Sequence, residues 1–333
     1  MAGNQRLWYP LESGAISDIA KNLEIGIWRA RPDPGLGLRA SLKVIQSFRP
    51  YARRLTKLGV EIVSNIEGQN LSMVEVTRSK SESLALIAEA TSSLIETGYC
   101  IVDGLKTDGI DSIYKSVRRH CDLLGTYSKA HGRVFWFRKP SELPDAFREW
   151  LAKAKPTEIA PGYMTQPGVF AEKGVDTGSQ FLLAHLPDGL TGDVADLGAG
   201  WGWLSNEVLK KCPAITSLSL FEAEGKALDC SRLNVKDVRA HFHWADVTKE
   251  ALGSFDVVIM NPPFHETRIA DTGLGVAFIT AAAAALKRGG TLYMVANKHL
   301  PYEGALNQRF AKWEQVATSA QFKIIVAKRP KGK

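Results

Sequence analysis

The sequence predicts an α/β protein in which a parallel sheet covered by helices occurs twice, and three observations carry that expectation. A length of 333 residues exceeds the usual size of one domain and suits two hydrophobic cores. From Asp193 onward short apolar runs alternate with longer amphipathic stretches, the pattern of a parallel sheet with helices on both faces. The first half of the chain repeats the outline of the end of the second half.

In chain order, the repeat comes first. Leu94-x-x-x-Gly98, followed by an apolar run over 99–102, has the spacing of Leu286-x-x-x-Gly290 followed by 291–295, and each pair follows an Ala-rich helix. An apolar strand then ends in basic residues in both halves, at Arg138 and Lys139 and again at Lys328 and Arg329. The N-terminal half is therefore expected to be a second copy of the same fold. Residues 153–168 carry Pro156, Pro161 and Pro167 without clear periodicity and read as a linker, which sets the domains at 1–156 and 157–333. Strands are expected over 193–197, 217–222, 241–244, 256–260, 291–295 and 322–327, with helices in the gaps.

Composition narrows the class. An apolar fraction of 45% with 23% charged residues is that of an ordinary globular chain. Cys100, Cys121, Cys212 and Cys230 are scattered without a C-x-x-C pair, which argues against zinc and against a disulfide framework and fits a reducing cytoplasm. The N-terminus MAGNQRLWYPLESG lacks a basic stretch followed by an apolar core, and the longest apolar run, 275–286, is too short to span a bilayer, so neither export nor a membrane is expected. A net charge of +7 suits a polyanionic partner, and suits solubility equally well.

Two motifs carry chemistry. The run Val194-Ala195-Asp196-Leu197 reads as a strand and leads into Gly198-Ala199-Gly200-Trp201-Gly202 and then a helix. Glycines let the backbone turn tightly against a ligand, and the next helix presents free N–H groups. Glu222 closes the second strand, where a carboxylate can accept hydrogen bonds from both ribose hydroxyls, and Asp246 follows the third. Asp196 at the turn would repel a pyrophosphate and suits a cofactor bearing an amino group and a sulfonium charge. The spacing Gly198-x-Gly200-x-Gly202 also departs from the dinucleotide fingerprint, so S-adenosylmethionine is favoured over NAD. Trp201 and Trp203 flank this turn and are read either as a cover for the cofactor or as packing.

The second motif is Asn261-Pro262-Pro263-Phe264, directly after the run 256–260. An aromatic amine has its lone pair delocalised into the ring, so attack on a methyl sulfonium requires that pair to be localised and aimed. The Asn261 side-chain oxygen and the Pro262 carbonyl can each accept a hydrogen bond from an NH2 group and draw its nitrogen toward tetrahedral geometry. The prolines hold these acceptors in extended backbone before substrate arrives. Phe264 offers a ring on which an extruded base can stack. His265 and Glu266 suit a pocket lining or a late proton acceptor as well as a plain surface role. No metal is required.

With both motifs read, the C-terminal half resembles the bacterial rRNA guanine-N2 methyltransferases of the RsmC and RlmG type. The likeness covers about the last 170 residues. It rests on Pro167-Gly168-Val169-Phe170, Asp176-Thr177-Gly178-Ser179-Gln180, the run 196–202, Asn261-Pro262-Pro263-Phe264-His265 and the closing segment 295–302. The resemblance implies a Rossmann-like class I methyltransferase fold, with Asp196, Gly198, Gly200, Glu222, Asp246 and Asn261 at S-adenosylmethionine. It implies Asn261 to Phe264 as the catalytic wall, and N2-methylguanosine in ribosomal RNA, most simply of the small subunit, as product. It also implies that residues 1–156 are a degenerate copy. Their counterpart of the second motif reads Val76-Thr77-Arg78-Ser79-Lys80, and their early glycine pair, Gly35-x-Gly37, follows no strand, so RNA docking is expected of them in place of catalysis. Glu222 and Asp246 stand where relatives often have Asp and Asn, and the loop 269–275 differs, which leaves the target nucleotide open. Adenine N6 and a protein glutamine amide share the same amino chemistry; an NAD oxidoreductase and a non-catalytic rRNA-binding assembly factor are the readings from other classes. Ribosomal RNA or a ribosomal subunit is the expected partner, and a monomer the expected state.

Overall fold

The computed structural model describes residues 4–17, 23–33, 35–36, 42–263 and 272–331. The chain divides into two compact units, Met1–Pro156 with Gln166–Gly168, and Thr157–Thr165 with Val169–Lys333. The first unit contains α1 (Asn4–Glu12), β1 (Ile25–Trp28), β2 (Leu42–Ile45), α2 (Arg49–Lys57), β3 (Glu61–Ile62), β4 (Gln69–Glu75), α3 (Lys80–Ser92), β5 (Leu94–Leu105), α4 (Ile110–Val117), β6 (Leu123–Lys129), β7 (Gly132–Arg138) and α5 (Asp145–Lys153). Its sheet runs β3-β2-β1-β4-β5-β7-β6, parallel except that β7 lies antiparallel to both its neighbours.

The second unit opens with a hairpin of β8 (Thr157–Ala160) and β9 (Tyr163–Thr165). This part of the stretch expected to be a plain linker is thus paired backbone. Then come α6 (Thr177–His185), β10 (Gly192–Leu197), α7 (Trp203–Lys211), β11 (Ile215–Glu222), α8 (Gly225–Asn234), β12 (Ala240–Trp244), β13 (Phe255–Met260), α9 (Thr272–Ala285), β14 (Leu286–Asn297), α10 (Glu303–Arg309), β15 (Phe310–Thr318) and β16 (Phe322–Pro330). The sheet order is β12-β11-β10-β13-β14-β16-β15, and β16 is antiparallel to both neighbours. Position for position this is the order of the first sheet, so the expected duplication is present in the sheets, although among the described residues no α-helix lies between β1 and β2 where α7 joins β10 to β11.

The central strands form because they are near-continuous apolar runs that become buried on both faces. β13 reads FDVVIM with five of six residues buried. On one face of the second sheet Phe278, Ile279 and Ala282 of α9 pack on Ala195, Leu197, Val258 and Met260. On the other, Leu204, Val208 and Leu209 of α7 pack on Val194, Leu220, Val257 and Ile259. α9 is the longest helix and the most apolar, yet no helix among the described residues is long and apolar enough to cross a membrane. All four cysteines are buried, and none forms a disulfide.

The two Leu-x-x-x-Gly sequences occupy the same three-dimensional position. A Cβ on Gly98 would lie 2.8 Å from Leu94 Cδ2, 3.0 Å from the Asn70 carbonyl oxygen and 3.1 Å from that of Ile95. A Cβ on Gly290 would meet Leu286 Cδ2 at 2.8 Å, the Lys287 carbonyl at 3.0 Å and the Asp256 carbonyl at 3.1 Å. Each glycine permits a bulged strand to press against the strand beside it.

The first unit also holds a fully buried ion pair. Arg6 of α1 donates from Nε and Nη2 to the two carboxylate oxygens of Asp103 on β5, at 2.7 and 3.0 Å, and from Nη1 to the Lys129 carbonyl at 2.9 Å. The side chains are 1% and 2% exposed, so removing the cation would strand a carboxylate in the interior. Arg6→Met is expected to destabilise this unit by about 3–5 kcal/mol in urea unfolding at neutral pH. Burial already raises the Asp103 carboxyl, and without Arg6 it would be raised further. A raised carboxyl binds its proton more tightly in the folded state, so the loss should be smaller at pH 5 than at pH 8. An equal loss at both would show that Asp103 is not the stranded group.

Candidate functional site

β10 and β13 are adjacent and parallel, with Asp196 beside Ile259 and Leu197 beside Met260, so Gly198 and Asn261 both begin at the same rim of the sheet. After Leu197 the chain turns through Gly198 and Gly200, whose φ values of 79° and 56° lie in the left-handed region that L side chains rarely adopt. Nothing lies within 4 Å of where a Gly200 Cβ would stand, so the turn faces open space. Glu222, at the end of β11, secures this loop: its Oε2 accepts from the Gly200 N–H and its Oε1 from the Glu224 N–H, both at 2.8 Å.

Asp196 is 1% exposed. Its Oδ2 accepts from the Ser205 hydroxyl at 2.7 Å, and among the described residues no lysine or arginine is paired with it. Burial, with a smaller contribution from nearby Glu222, pushes its carboxyl up to about 7. Burial raises the Glu222 carboxyl too. Asp196, desolvated and without a paired lysine or arginine among the described residues, borders an open glycine turn that Glu222 holds from behind, an arrangement complementary to a positively charged ligand. S-adenosylmethionine, with its ammonium and sulfonium, fits that description, and a pyrophosphate does not.

Asn261 is half-buried and follows β13 directly. Its Nδ2 donates to Asp176 Oδ2 at 2.7 Å and to the Ser179 hydroxyl oxygen at 2.9 Å. Both amide hydrogens are thereby engaged, and Oδ1 is the atom left to accept. Pro262 is buried and Pro263 exposed. Phe264, His265 and Glu266 lie outside the described residues.

A single cleft is lined by Asp196, Gly198, Gly200 and Asn261, together with Asp176, Ser179, Trp203 and Phe170. Glu222 and Asp246 stand at the ends of neighbouring strands and are not among its lining residues. Asp246 is buried, and its Oδ1 accepts from the Thr248 N–H at 3.1 Å and hydroxyl at 2.7 Å. Trp201 also borders the cleft but is 4% exposed and packs edge-on against Tyr163, whereas Trp203 is half-buried. Asp176, Ser179 and Phe170 carried no assigned role in the sequence reading. The signal was present in the matching segments 167–170 and 176–180, but nothing local in them indicates the approach of residue 261.

The same rim of the first unit is built differently. Arg29, Ala30 and Arg31 follow β1, and Val76 and Thr77 follow β4. Arg31 donates to Asp108 Oδ2 at 2.8 Å and pairs with buried Glu75, and Arg29 approaches Glu82 at 3.9 Å. Arginines already neutralise the carboxylates there, and no asparagine follows either strand.

Residues 162–326 match the family model of the methyltransferase small domain. The chain is 31% identical over 265 residues to a Shewanella loihica protein named ribosomal RNA small subunit methyltransferase C, covering 77% of each. It is 29% identical over 323 residues to the protein of that name from Shewanella denitrificans, covering 89% of this chain and 91% of the other. Among solved structures it resembles the T. thermophilus 16S rRNA N2 methyltransferase RsmC, determined with AdoMet and guanosine. That TM-score is 0.76 at 22% identity, over 96% of this chain and 92% of that one. The likeness concerns the fold and runs through both units, so each is a Rossmann-like class I methyltransferase fold.

The Asp196 carboxyl gives the site a definite pH response. It is neutral below about 7 and anionic above. A cationic ligand favours the anion, so S-adenosylmethionine should bind about tenfold more tightly at pH 8 than at pH 6 by calorimetry, and Asp196→Asn should flatten the profile. A flat profile in the unsubstituted protein would remove Asp196 from the pocket.

Proposed function

Since the chain belongs to the family of ribosomal RNA small subunit methyltransferase C, we propose that it transfers a methyl group from S-adenosylmethionine to N2 of a guanosine in small-subunit ribosomal RNA. The observation that carries this reading is the Asn261 amide at the cleft, whose nitrogen is committed to Asp176 and Ser179 so that Oδ1 is the atom left to accept. An exocyclic NH2 presents two donors. Oδ1 takes one and the Pro262 carbonyl the other, which localises the nitrogen lone pair for attack.

Asp196, Gly198, Gly200, Glu222 and Asp246 hold the cofactor in this reading. When bound, S-adenosylmethionine supplies an electrophilic methyl group on a sulfonium. The carboxylates offset the cationic charge and the glycine turn allows close approach of backbone. Asn261, Pro262 and Pro263 hold the amine, and Phe264 stacks on the base.

Residues 157–333 are the catalytic domain and 1–156 an RNA-docking domain. Charge supports that division: residues 1–156 carry 23 Lys and Arg against 17 Asp and Glu, whereas 157–333 carry 19 against 18. Nearly all of the net positive charge therefore belongs to the unit without the catalytic motif, as phosphate binding requires. One chain contains every group invoked, which is consistent with a monomer, and a ribosomal substrate implies work in the cytoplasm.

Incubation with labelled cofactor and total RNA from cells lacking the protein should yield N2-methylguanosine in the small-subunit RNA. Label in N6-methyladenosine or in protein would overturn the substrate, and no incorporation would favour a non-catalytic assembly factor. Asn261→Ala should lower the single-turnover rate by about 100-fold or more while cofactor affinity stays within about twofold, because the amide acts on the transition state. Parallel loss of both would refute its role. In the first unit Arg78, Lys80 and Lys106 are exposed at the rim described above. Replacing all three with Ala should weaken RNA binding and reduce the slope of log affinity against log salt by about two to three, with cofactor affinity unchanged. An unchanged slope would exclude this rim as the docking surface.

A further inference from the structure

A side-chain amide is nearly symmetric in shape, and a half-turn about its last bond exchanges oxygen for nitrogen. For Asn261 the exchange would be fatal to the reading above, since it would present two donors to an amine that is itself a donor. The protein must therefore specify the orientation, and the residues that do so lie about 80 positions earlier in the chain.

Asp176 is the N-cap of α6. Its Oδ2 accepts from the Ser179 N–H at 2.8 Å and, with the same oxygen, from Asn261 Nδ2 at 2.7 Å. The first turn of the helix thus fixes the carboxylate, and the carboxylate fixes the amide. The Ser179 hydroxyl oxygen, one turn along, takes the second amide hydrogen at 2.9 Å. Gly178 lies between them: a Cβ there would stand 3.1 Å from Asp176 Oδ2 and 3.5 Å from Asn261 Nδ2. Asp176, Ser179 and Asn261 all border the cleft.

We propose that Asp176 and Ser179 are positioning residues for methyl transfer, setting the Asn261 amide with its oxygen toward the substrate and placing a negative charge one amide away from the reacting nitrogen. This rests on the function proposed above. In the transfer an N–CH3 bond forms as the S–CH3 bond breaks and its electron pair returns to sulfur. The positive charge passes to nitrogen, which then loses a proton to solvent. A carboxylate hydrogen-bonded to the Asn261 N–H polarises the amide, makes Oδ1 a stronger acceptor and favours the positive charge as it arrives.

The test separates this role from helix capping. Asp176→Ser keeps an N-cap oxygen but is too short to reach Asn261. Asp176→Asn keeps an acceptor oxygen that can receive both hydrogen bonds and removes only the charge. We expect the single-turnover rate at saturating cofactor and RNA to fall about 100-fold in Asp176→Ser, about tenfold in Asp176→Asn and about fivefold in Ser179→Ala. S-adenosylmethionine affinity should stay within about twofold and the urea midpoint nearly unchanged. Rates equal to the unsubstituted protein in all three would overturn the proposal. So would a loss in Asp176→Ser matched by loss of cofactor affinity, since that is what a merely structural role predicts. If the unsubstituted protein transfers methyl groups and the variants do so at the same rate, the positioning role alone fails. If it transfers none, the proposed function fails and the positioning role with it.

Discussion

Two neighbouring parallel strands whose following helices lie on opposite faces leave a crevice at their C-terminal ends, and the whole site depends on that arrangement. After β10 the chain enters α7 on one face, and after β13 it leads to α9 on the other. Neither helix closes the gap. The crevice is therefore a result of topology before any polar residue is considered. The residues that occupy it are those that end the two strands: a buried carboxylate and a glycine turn from one, an asparagine followed by prolines from the other. Their proximity requires no long loop, because the strands are already in register beside each other.

The first unit shows what the same crevice becomes without the chemistry. Arg29 immediately follows β1, as Gly198 follows β10, and both have left-handed backbones, with φ of 63° and 79°. The turn has kept its shape although the glycine is absent, at a conformational cost of about 1–2 kcal/mol for a side chain in that region. Glu75, which ends β4 level with the place of Asn261 after β13, is buried against Arg31, and like Asp196 it is raised to about 7 by desolvation despite that partner. One crevice retains uncompensated negative charge for a ligand to neutralise, and the other supplies its own arginines.

Much of this was legible in the sequence because the relevant signals are local. The central strands are apolar runs, the glycine turn and the Asn-Pro-Pro follow them directly, and the repeated Leu-x-x-x-Gly has a fixed spacing. What escaped was determined by distant partners. β15 is an outer strand exposed along most of its length, so it has no hydrophobic alternation to reveal it. The hairpin of β8 and β9 sits among prolines that suggested irregular chain. Asp176 and Ser179 are an ordinary helix start by local criteria, and their second role exists only through a contact spanning 85 and 82 residues. The arginines of the first unit look like surface charge in the sequence and prove to be paired at the rim.

The twin glycines at 98 and 290 allow a last distinction. Both meet the same three obstacles at nearly the same distances, yet only the second unit carries an Asn-Pro-Pro sequence after the neighbouring strand. The glycine is therefore required by the bulged strand and not by the Asn-Pro-Pro sequence beside it. Each half serves as the control for the other: what both carry at matching positions is explained by the architecture they share, and what only the later one carries calls for a different explanation.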